Sequence, residues 1–429
     1  MRIHPRSSVT VTVLSLFFAA AASATGPTEP TVFAPGRCEI GVYRTADDTF
    51  VAVTEASDGF RYTFSHGIVG RIGAVGSAIE CGEGMIRVHG DAVRPRVAIT
   101  ATDTLFESHG VILAGRLLEP PGAGRHTPLV VYAHGSERTG WIGRMRDPYQ
   151  MVGRGVSVFV YDKRGTGLSE GEYTQNFPRL ADDLVAASEE AKRLADGRFG
   201  RFGLFGLSQG GWIAPLAARR ADAEFIGIGY GLVVDIREED AAQVSLELRR
   251  AGYGDEVIEA ARTITDATAR IVTSGYQDGL EALDEARERF REESWYRLIQ
   301  GEYTGTLMGM STDDLRRNGI PHYDRLEVDW TLDPVEVLRD VAVPQLWVLA
   351  AEDDEAPPAL TLERLSMLRD EGEEIAVYLF PDTDHGMWEF NEGDDGSRRH
   401  TRIAPNFYDL MADWAKGELN DGYGRAVER

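Results

Sequence analysis

Cysteine and lysine are both scarce in this chain. Only Cys38 and Cys81 occur in 429 residues. That excludes a disulfide-built scaffold and leaves too few thiols for a zinc site of cysteines. No His-Glu-x-x-His motif is present, so the common helical zinc-protease pattern is missing as well. Lysine is confined to Lys163, Lys192 and Lys416, and nearly all the remaining basic residues are arginine. Positive charge is in deficit overall, with 45 Lys and Arg against 69 Asp and Glu and a net charge of −24. Such a balance argues against nucleic acid or an anionic membrane surface as partner, because both are polyanions. Internal repeats are absent, and 43% hydrophobic with 27% charged residues excludes a disordered or collagen-like chain. What remains is a globular protein with length for one large domain or two ordinary ones, at roughly 100–200 residues each.

The first 24 residues read as a secretory signal peptide. Arg2 and Arg6 form a basic start, Val9 to Ala22 is apolar, and Ala22-Ser23-Ala24 offers small residues at the cleavage positions. The competing reading is a transmembrane anchor, but the apolar run falls short of the roughly 20 residues that span a bilayer. No later stretch is long and apolar enough to span one, so no membrane insertion is expected after cleavage. The expected location is periplasmic or secreted. Export permits a disulfide between Cys38 and Cys81; two buried thiols are the alternative.

Residues 31–100 read as a small β domain. Phe50-Val-Ala-Val-Thr54 and Phe60-Arg-Tyr-Thr-Phe64 alternate as strands do, with the Asp58-Gly59 turn signal between them. From about 101 the rhythm becomes strand, helix, strand, helix. Pro128 to Ala133, Val156 to Tyr161, Phe202 to Leu207 and Phe225 to Tyr230 are continuous apolar runs of the kind buried on both faces of a parallel sheet. Leu180, Leu184, Ala187, Ala191 and Leu194 recur at helical spacing. The fold class is therefore α/β. Residues 236–335 interrupt it with amphipathic helical sequence, marked by Val257, Ala261, Ile264 and Ile271 and by Leu280, Leu283 and Phe290. The strand rhythm returns over 336–420, at Gln345 to Leu349 and Ile375 to Phe380, and a last helix carries Phe407, Leu410, Met411 and Trp414.

Chemistry concentrates at Gly206-Leu207-Ser208-Gln209-Gly210, a G-x-S-x-G directly after a buried strand and before a helix. A nucleophile on so sharp a turn leaves no room for side chains two residues before or after it, hence Gly206 and Gly210. The helix start behind it supplies free N–H groups for a developing oxyanion. Serine then needs a base and the base an orienting acid, in the chain order Ser, Asp or Glu, His. His385 in Asp382-Thr383-Asp384-His385-Gly386 is the natural base. The acid lies in Glu352-Asp353-Asp354-Glu355. Asp354 is the first choice, Asp353 the second and Glu352 the third. Asp384 is a poor candidate, because it adjoins the histidine it would have to reach.

Together Tyr132-Ala-His134-Gly135-Ser136, Tyr161-Asp162-Lys163-Arg164-Gly165-Thr166-Gly167, the turn at Ser208, the acid loop and Asp384-His385-Gly386 stand in the order found in α/β-hydrolases. Over roughly residues 100–420 the chain resembles their esterase and serine aminopeptidase-like branch, in the form exported by bacteria with an extra N-terminal β domain. The resemblance implies an α/β-hydrolase core over 101–235 and 336–420, with 236–335 as a helical lid that shapes the pocket. It also implies an oxyanion hole made by the backbone N–H groups of Ser136 and Gln209, and bracing roles for Asp162 and Arg164. Ala351 replaces the usual glycine before the acid, and Ser136-Glu137-Arg138 is not the glycine-rich form of oxyanion loop.

The expected activity is hydrolysis of small to medium carboxylic esters through an acyl-enzyme, with no metal or organic cofactor. A serine aminopeptidase or amidase with the same triad is the alternative. It would need carboxylates for a substrate ammonium, and Glu238, Glu239 and Asp240 stand early in the lid. A non-catalytic binding protein on a hydrolase scaffold is the alternative of another class.

Overall fold

Apolar runs at 129–133, 157–161, 202–207 and 225–229 become neighbouring strands in the middle of a mixed sheet, and every residue of them is buried. The computed structural model describes Phe33 and residues 37–44, 49–90, 92–394 and 396–429; the signal peptide read at 1–24 lies outside the described residues. The central strands are β8 (Thr100–Ser108), β9 (Val111–Glu119), β10 (Leu129–Ala133), β11 (Ser157–Tyr161), β12 (Phe202–Leu207), β13 (Phe225–Gly229), β14 (Gln345–Ala350) and β15 (Ile375–Phe380), with the short β19 (Val427–Glu428) at one edge. Their spatial order is β19-β15-β14-β13-β12-β10-β11-β9-β8. The six strands from β15 to β11 run parallel, while β9, β8 and β19 are antiparallel to their neighbours.

Helices cover both faces. On one lie α2 (Phe177–Leu194) and α3 (Gly210–Ala218), and on the other α1 (Arg146–Val152) and α12 (Phe407–Lys416). Asn176 starts α2 by accepting the Arg179 N–H at 2.9 Å, and Leu180, Leu184, Ala187 and Ala191 are the buried stripe. In α12 the stripe is Phe407, Leu410, Met411 and Trp414.

The interrupting segment is all helical: α4 (Ile236–Arg250), α5 (Asp255–Thr273), α6 (Leu280–Phe290), α7 (Thr304–Met308), α8 (Thr312–Asn318) and α9 (Pro321–Leu326), before α10 (Pro334–Arg339) returns the chain to β14, which α11 (Pro358–Glu371) connects to β15. Its stripes join the hydrophobic cluster of α2 and α3 through Val244, Leu248, Ile264, Ile271, Leu283 and Leu307. The insert is thus packed on the sheet's helical layer.

Two small antiparallel sheets precede the core. One holds β1 (Gly41–Arg44), β2 (Phe50–Ala56), β3 (Gly59–Phe64) and β4 (Val69–Arg71), and the other β5 (Ile79–Gly82), β6 (Met85–Val88) and β7 (Ala92–Pro95). Strand β2 is apolar on both sides for a reason. Val51 and Val53 meet Ile79, Ile86 and Val88 of the second sheet, while Phe50 and Ala52 pack on Leu118, Tyr149 and Val152 of the central α/β layers. The side-chain amide of Gln150 in α1 donates to the Thr63 carbonyl at 2.9 Å, adding a polar tie. Cys38 and Cys81 form a disulfide that links the chain before β1 to β5. The hairpin register pairs Ala56 with Gly59, so its two-residue turn is Ser57-Asp58 and Gly59, at φ 133°, opens β3; the turn sits one residue earlier than the Asp58-Gly59 signal placed it.

Sequence periodicity did not reveal β8 or the hairpin of β17 (Trp388–Glu392) and β18 (Arg398–Ile403) that follows the two-residue β16 (Thr383–Asp384). β8 reads Thr-Ala-Thr-Asp-Thr-Leu-Phe-Glu-Ser, and as the edge strand it exposes most of those residues. No helix among the described residues is long and apolar enough to cross a membrane.

Candidate active site

Ser208 stands at the turn from β12 into α3 with φ +52°, the left-handed conformation that costs a β-carbon-bearing residue strain. Its glycine neighbours are required by space. A Cβ on Gly206 would lie 2.2 Å from the Gly210 carbonyl oxygen, and one on Gly210 would lie 2.1 Å from that of Ala133. Both obstacles are backbone and cannot move aside. The turn is held by the Ser208 N–H donating to Gly229 O at 3.0 Å and the Gly211 N–H donating to Ser208 O at 2.7 Å.

His385 arrives from the loop after β15. Its Nε2 is 3.1 Å from Ser208 Oγ. Its Nδ1 is 3.0 and 3.1 Å from the two carboxylate oxygens of Asp353. This corrects the first choice of acid. Asp354 pairs with Arg250 of α4 and with Arg398 of β18 at 2.7 Å, facing away from the ring. The loop after β14 decides between them. Asp353 Oδ1 accepts the N–H groups of Glu355 at 3.0 Å and Ala356 at 2.7 Å. That tight side-chain-to-backbone turn directs Asp353 inward, where it is 3% exposed. Asp384 accepts the N–H of His385 at 2.8 Å and faces His400 and Arg398, so it braces the histidine loop.

Burial opposes charging His385, but Asp353 on its Nδ1, with Glu355 and Asp384 nearby, outweighs burial and raises its pKa above the ordinary histidine value. The Tyr230 ring meets the imidazole edge-on, 5.0 Å between centroids. Tyr230 follows β13 and belonged to an apolar strand run in the sequence; nothing in its spacing marked it as a neighbour of His385.

The Tyr132-Ala-His-Gly-Ser segment leaves β10 beside Ser208. A Cβ on Gly135 would sit 3.4 Å from Ser208 Cβ, which measures how close that loop comes. His134 is buried, stacks on Trp141 at 4.6 Å and pairs through Nδ1 with Glu137 Oε1 at 2.8 Å. Asp162 accepts N–H groups of Trp141 at 2.6 Å, Ile142 at 3.1 Å and Leu168 at 2.9 Å, lacing this loop to its neighbour. Arg164 forms a buried two-pronged pair with Asp183 of α2, at 2.7 and 2.5 Å.

The three early lid acids separate on inspection. Glu238 is engaged by Arg364 at 2.8 Å, and its carboxylate completes the cap of α4 with Asp235. Asp240 is consumed by the N–H groups of Tyr303 at 2.9 Å and Thr304 at 3.0 Å and by the Thr304 hydroxyl at 2.6 Å. Glu239 is different. Burial, reinforced by Glu302, Asp240, Asp353 and Glu355, raises its pKa well above the usual carboxylate range.

A profile of the alpha/beta hydrolase family matches residues 130–395. No curated protein matches the sequence. Among solved structures, an esterase of Pyrococcus furiosus is 14% identical with a TM-score of 0.42, covering 67% of this chain and 84% of that one. An acylaminoacyl peptidase of Pyrococcus horikoshii is 16% identical with a TM-score of 0.45, and the match spans 89% of this chain but only 57% of the peptidase. The profile takes in more than half of the chain, from the strand before His134 to beyond His385, and the chain belongs to the alpha/beta hydrolase family.

Proposed function

We propose that the protein is a serine hydrolase that cleaves carboxylic esters through an acyl-enzyme, with Ser208 as nucleophile, His385 as base and Asp353 as orienting acid. The observation that carries this reading is the unbroken chain from Ser208 Oγ to His385 Nε2 at 3.1 Å and from Nδ1 to Asp353 at 3.0 Å, on a turn whose strain exposes the serine. Nδ1–H donates to Asp353, which leaves Nε2 free to accept the serine proton as Oγ attacks the ester carbonyl. The backbone N–H groups of Ser136 and Gln209 are the proposed donors to the oxyanion. Gln209 is the residue directly ahead of α3, where N–H groups have no partner within the helix. His385 then protonates the leaving alcohol, and water removes the acyl group by the same route. The mechanism uses no metal or organic cofactor.

Glu239, Glu302 and Glu355 favour a second reading. Glu302 acts electrostatically on Glu239 and feels both Glu355 and His385, while Glu355 Oε2 is 3.5 Å from His385 Nε2. Three carboxyl groups near the proposed base that pair with no arginine among the described residues would suit a substrate whose acyl part carries an ammonium, as an aminoacyl ester or amide does.

The disulfide supports export, since such a bond persists in an oxidising compartment. We infer that the mature chain begins at Thr25, which its N-terminal sequence would check.

The deciding assay is p-nitrophenyl ester hydrolysis across acyl lengths, with aminoacyl anilides alongside and Ser208→Ala as control. Ester turnover lost in the variant supports the first reading. Preference for aminoacyl anilides supports the second. Undiminished turnover in Ser208→Ala would sink both. A wild-type protein inert to every ester and anilide would instead point to the non-catalytic scaffold.

A further inference from the structure

One of the three lysines in this chain lies wholly inside the protein beside the proposed nucleophile. Lys163, two residues beyond β11, is 2% exposed. Among the described residues it forms no ion pair with a carboxylate. Its Nζ donates instead to the carbonyl oxygen of Gly135 and, at 3.4 Å, to the side-chain Oε1 of Gln209. The Tyr173 ring covers it at 5.0 Å, and the Tyr173 hydroxyl donates to the next carbonyl of the same loop, Ser136 O.

Those two acceptors are informative. The carbonyl of Gly135 and the N–H of Ser136 belong to one peptide unit. In a trans peptide they point in opposite directions. A cation on that oxygen therefore fixes where the N–H points, and it polarises the unit so that the N–H becomes a stronger donor. Gln209 carries the second proposed donor on its own backbone. A structural contact could have been made by any neutral donor; a buried charge is costly and needs a reason.

We propose that Lys163 is a positioning residue of the oxyanion hole, a buried cation that orients and polarises the Gly135–Ser136 peptide and anchors the side chain of Gln209, whose backbone supplies the other half. The inference rests on the roles proposed above for Ser208, Ser136 and Gln209. The groups facing the ammonium are Glu137, Arg138 and His134 from the loop after β10, Tyr173 from the loop before α2, and Gln209 ahead of α3. Burial pushes Lys163 down to about 8, with Glu137 opposing and Arg138 adding to the fall. Its charge is therefore present below that pH and lost above it, and the hole weakens as the ammonium deprotonates.

The test is the rate at which a fluorophosphonate labels Ser208, read from about pH 6 to pH 10. The Oγ–P bond forms as fluoride leaves, and the phosphoryl oxygen occupies the same hole, so no natural substrate is needed. In the wild-type protein the rate should decline above about pH 8. Lys163→Met should label ~10-fold to 100-fold more slowly, somewhat less than the loss expected for deleting a direct donor, and should lack that decline. Lys163→Arg keeps a charge throughout this range and should recover much of the rate without the alkaline decline. A Lys163→Met protein labelled within about threefold of wild type, with the decline intact, would overturn the inference. If Lys163→Met does not fold, the wild-type profile decides: a rate that holds flat to pH 10 overturns it. Ser208→Ala separates the two levels. Labelling that survives in Ser208→Ala defeats the reading of the nucleophile itself, whereas a silent Ser208→Ala beside an unaffected Lys163→Met defeats only the role of Lys163.

Discussion

Asp353 and Asp354 are adjacent in sequence and opposed in direction: the first holds His385 Nδ1 at 3.0 Å, and the second turns to Arg250 and Arg398. Substitution should separate them. Asp353→Asn keeps the shape but removes the charge that holds the ring tautomer, and kcat should fall about 10³- to 10⁴-fold. Asp354→Asn loosens an ion pair to the lid and should leave kcat within about threefold, since partly exposed pairs contribute little. Steady-state kinetics on one p-nitrophenyl ester would check both. The reverse ranking would return the orienting role to Asp354.

The acid side of the pH profile follows from the same contact. His385 must be neutral to accept the serine proton, and its pKa is raised because Asp353 on Nδ1, aided by Glu355 and Asp384, outweighs burial. Activity is therefore present above that raised pKa and lost as pH falls through it, with a midpoint above the ordinary histidine value of about 6.5. In Asp353→Asn, burial is left with less opposition, and the residual activity should lose its acid limb at a lower pH. A pH–kcat/KM profile of both proteins reads this directly. An unmoved limb would mean that another group sets it.

Much of this site was legible in the chain because the chemistry restricts residue types locally. Gly206 and Gly210 are forced by backbone oxygens 2.2 and 2.1 Å from where a Cβ would stand, so the turn that carries Ser208 announces itself within five residues. The parallel strands are legible for a similar reason: burial on both faces demands unbroken apolar runs such as Leu129–Ala133. The acid was not fixed, because four neighbouring carboxylates differ only in how the loop after β14 turns, and that depends on which one captures the N–H groups of Glu355 and Ala356. Tyr230 was illegible as a site neighbour for another reason: it reaches His385 through tertiary packing, and a strand-end tyrosine carries no local mark of it. Glu238, Glu239 and Asp240 could be named but not ranked, because what engages Glu238 and Asp240 comes from distant segments at Arg364, Tyr303 and Thr304.

Glu239 supplies a prediction about substrate charge. Its pKa is raised by burial and by Glu302, Asp240, Asp353 and Glu355, so it holds a proton that other carboxyl groups have lost. An ammonium placed beside it would favour the ionised form and drive that proton off. Affinity for an aminoacyl anilide should then strengthen as pH rises, until the substrate amine itself deprotonates near 7.7–8.0. Glu239→Gln should raise KM for the aminoacyl substrate and leave KM for an uncharged ester of equal size within about twofold. Equal effects on both would remove Glu239 from any role in recognising charge and leave the ester reading alone.

The Cys38–Cys81 disulfide tests whether the N-terminal sheets serve stability or catalysis. It closes a sequence separation of 43 residues, for which the loop-closure argument gives a stabilisation of about 4 kcal/mol. Cys81 lies in the core shared by the two small sheets, with Val51, Val53 and Ile86. The double variant Cys38→Ser, Cys81→Ser should therefore melt several degrees lower while its kcat, measured well below the transition, stays within about twofold of the parent. The route by which catalysis could suffer is also visible. Phe50 and Ala52 on the other face of β2 pack on Val152 and Tyr149 of α1, so loosening the small sheets could disturb the helix that follows the loop carrying Ser136. A variant that is folded at the assay temperature yet slow would show that this packing sets the position of the oxyanion loop, and would move the N-terminal sheets from a stabilising role to a catalytic one.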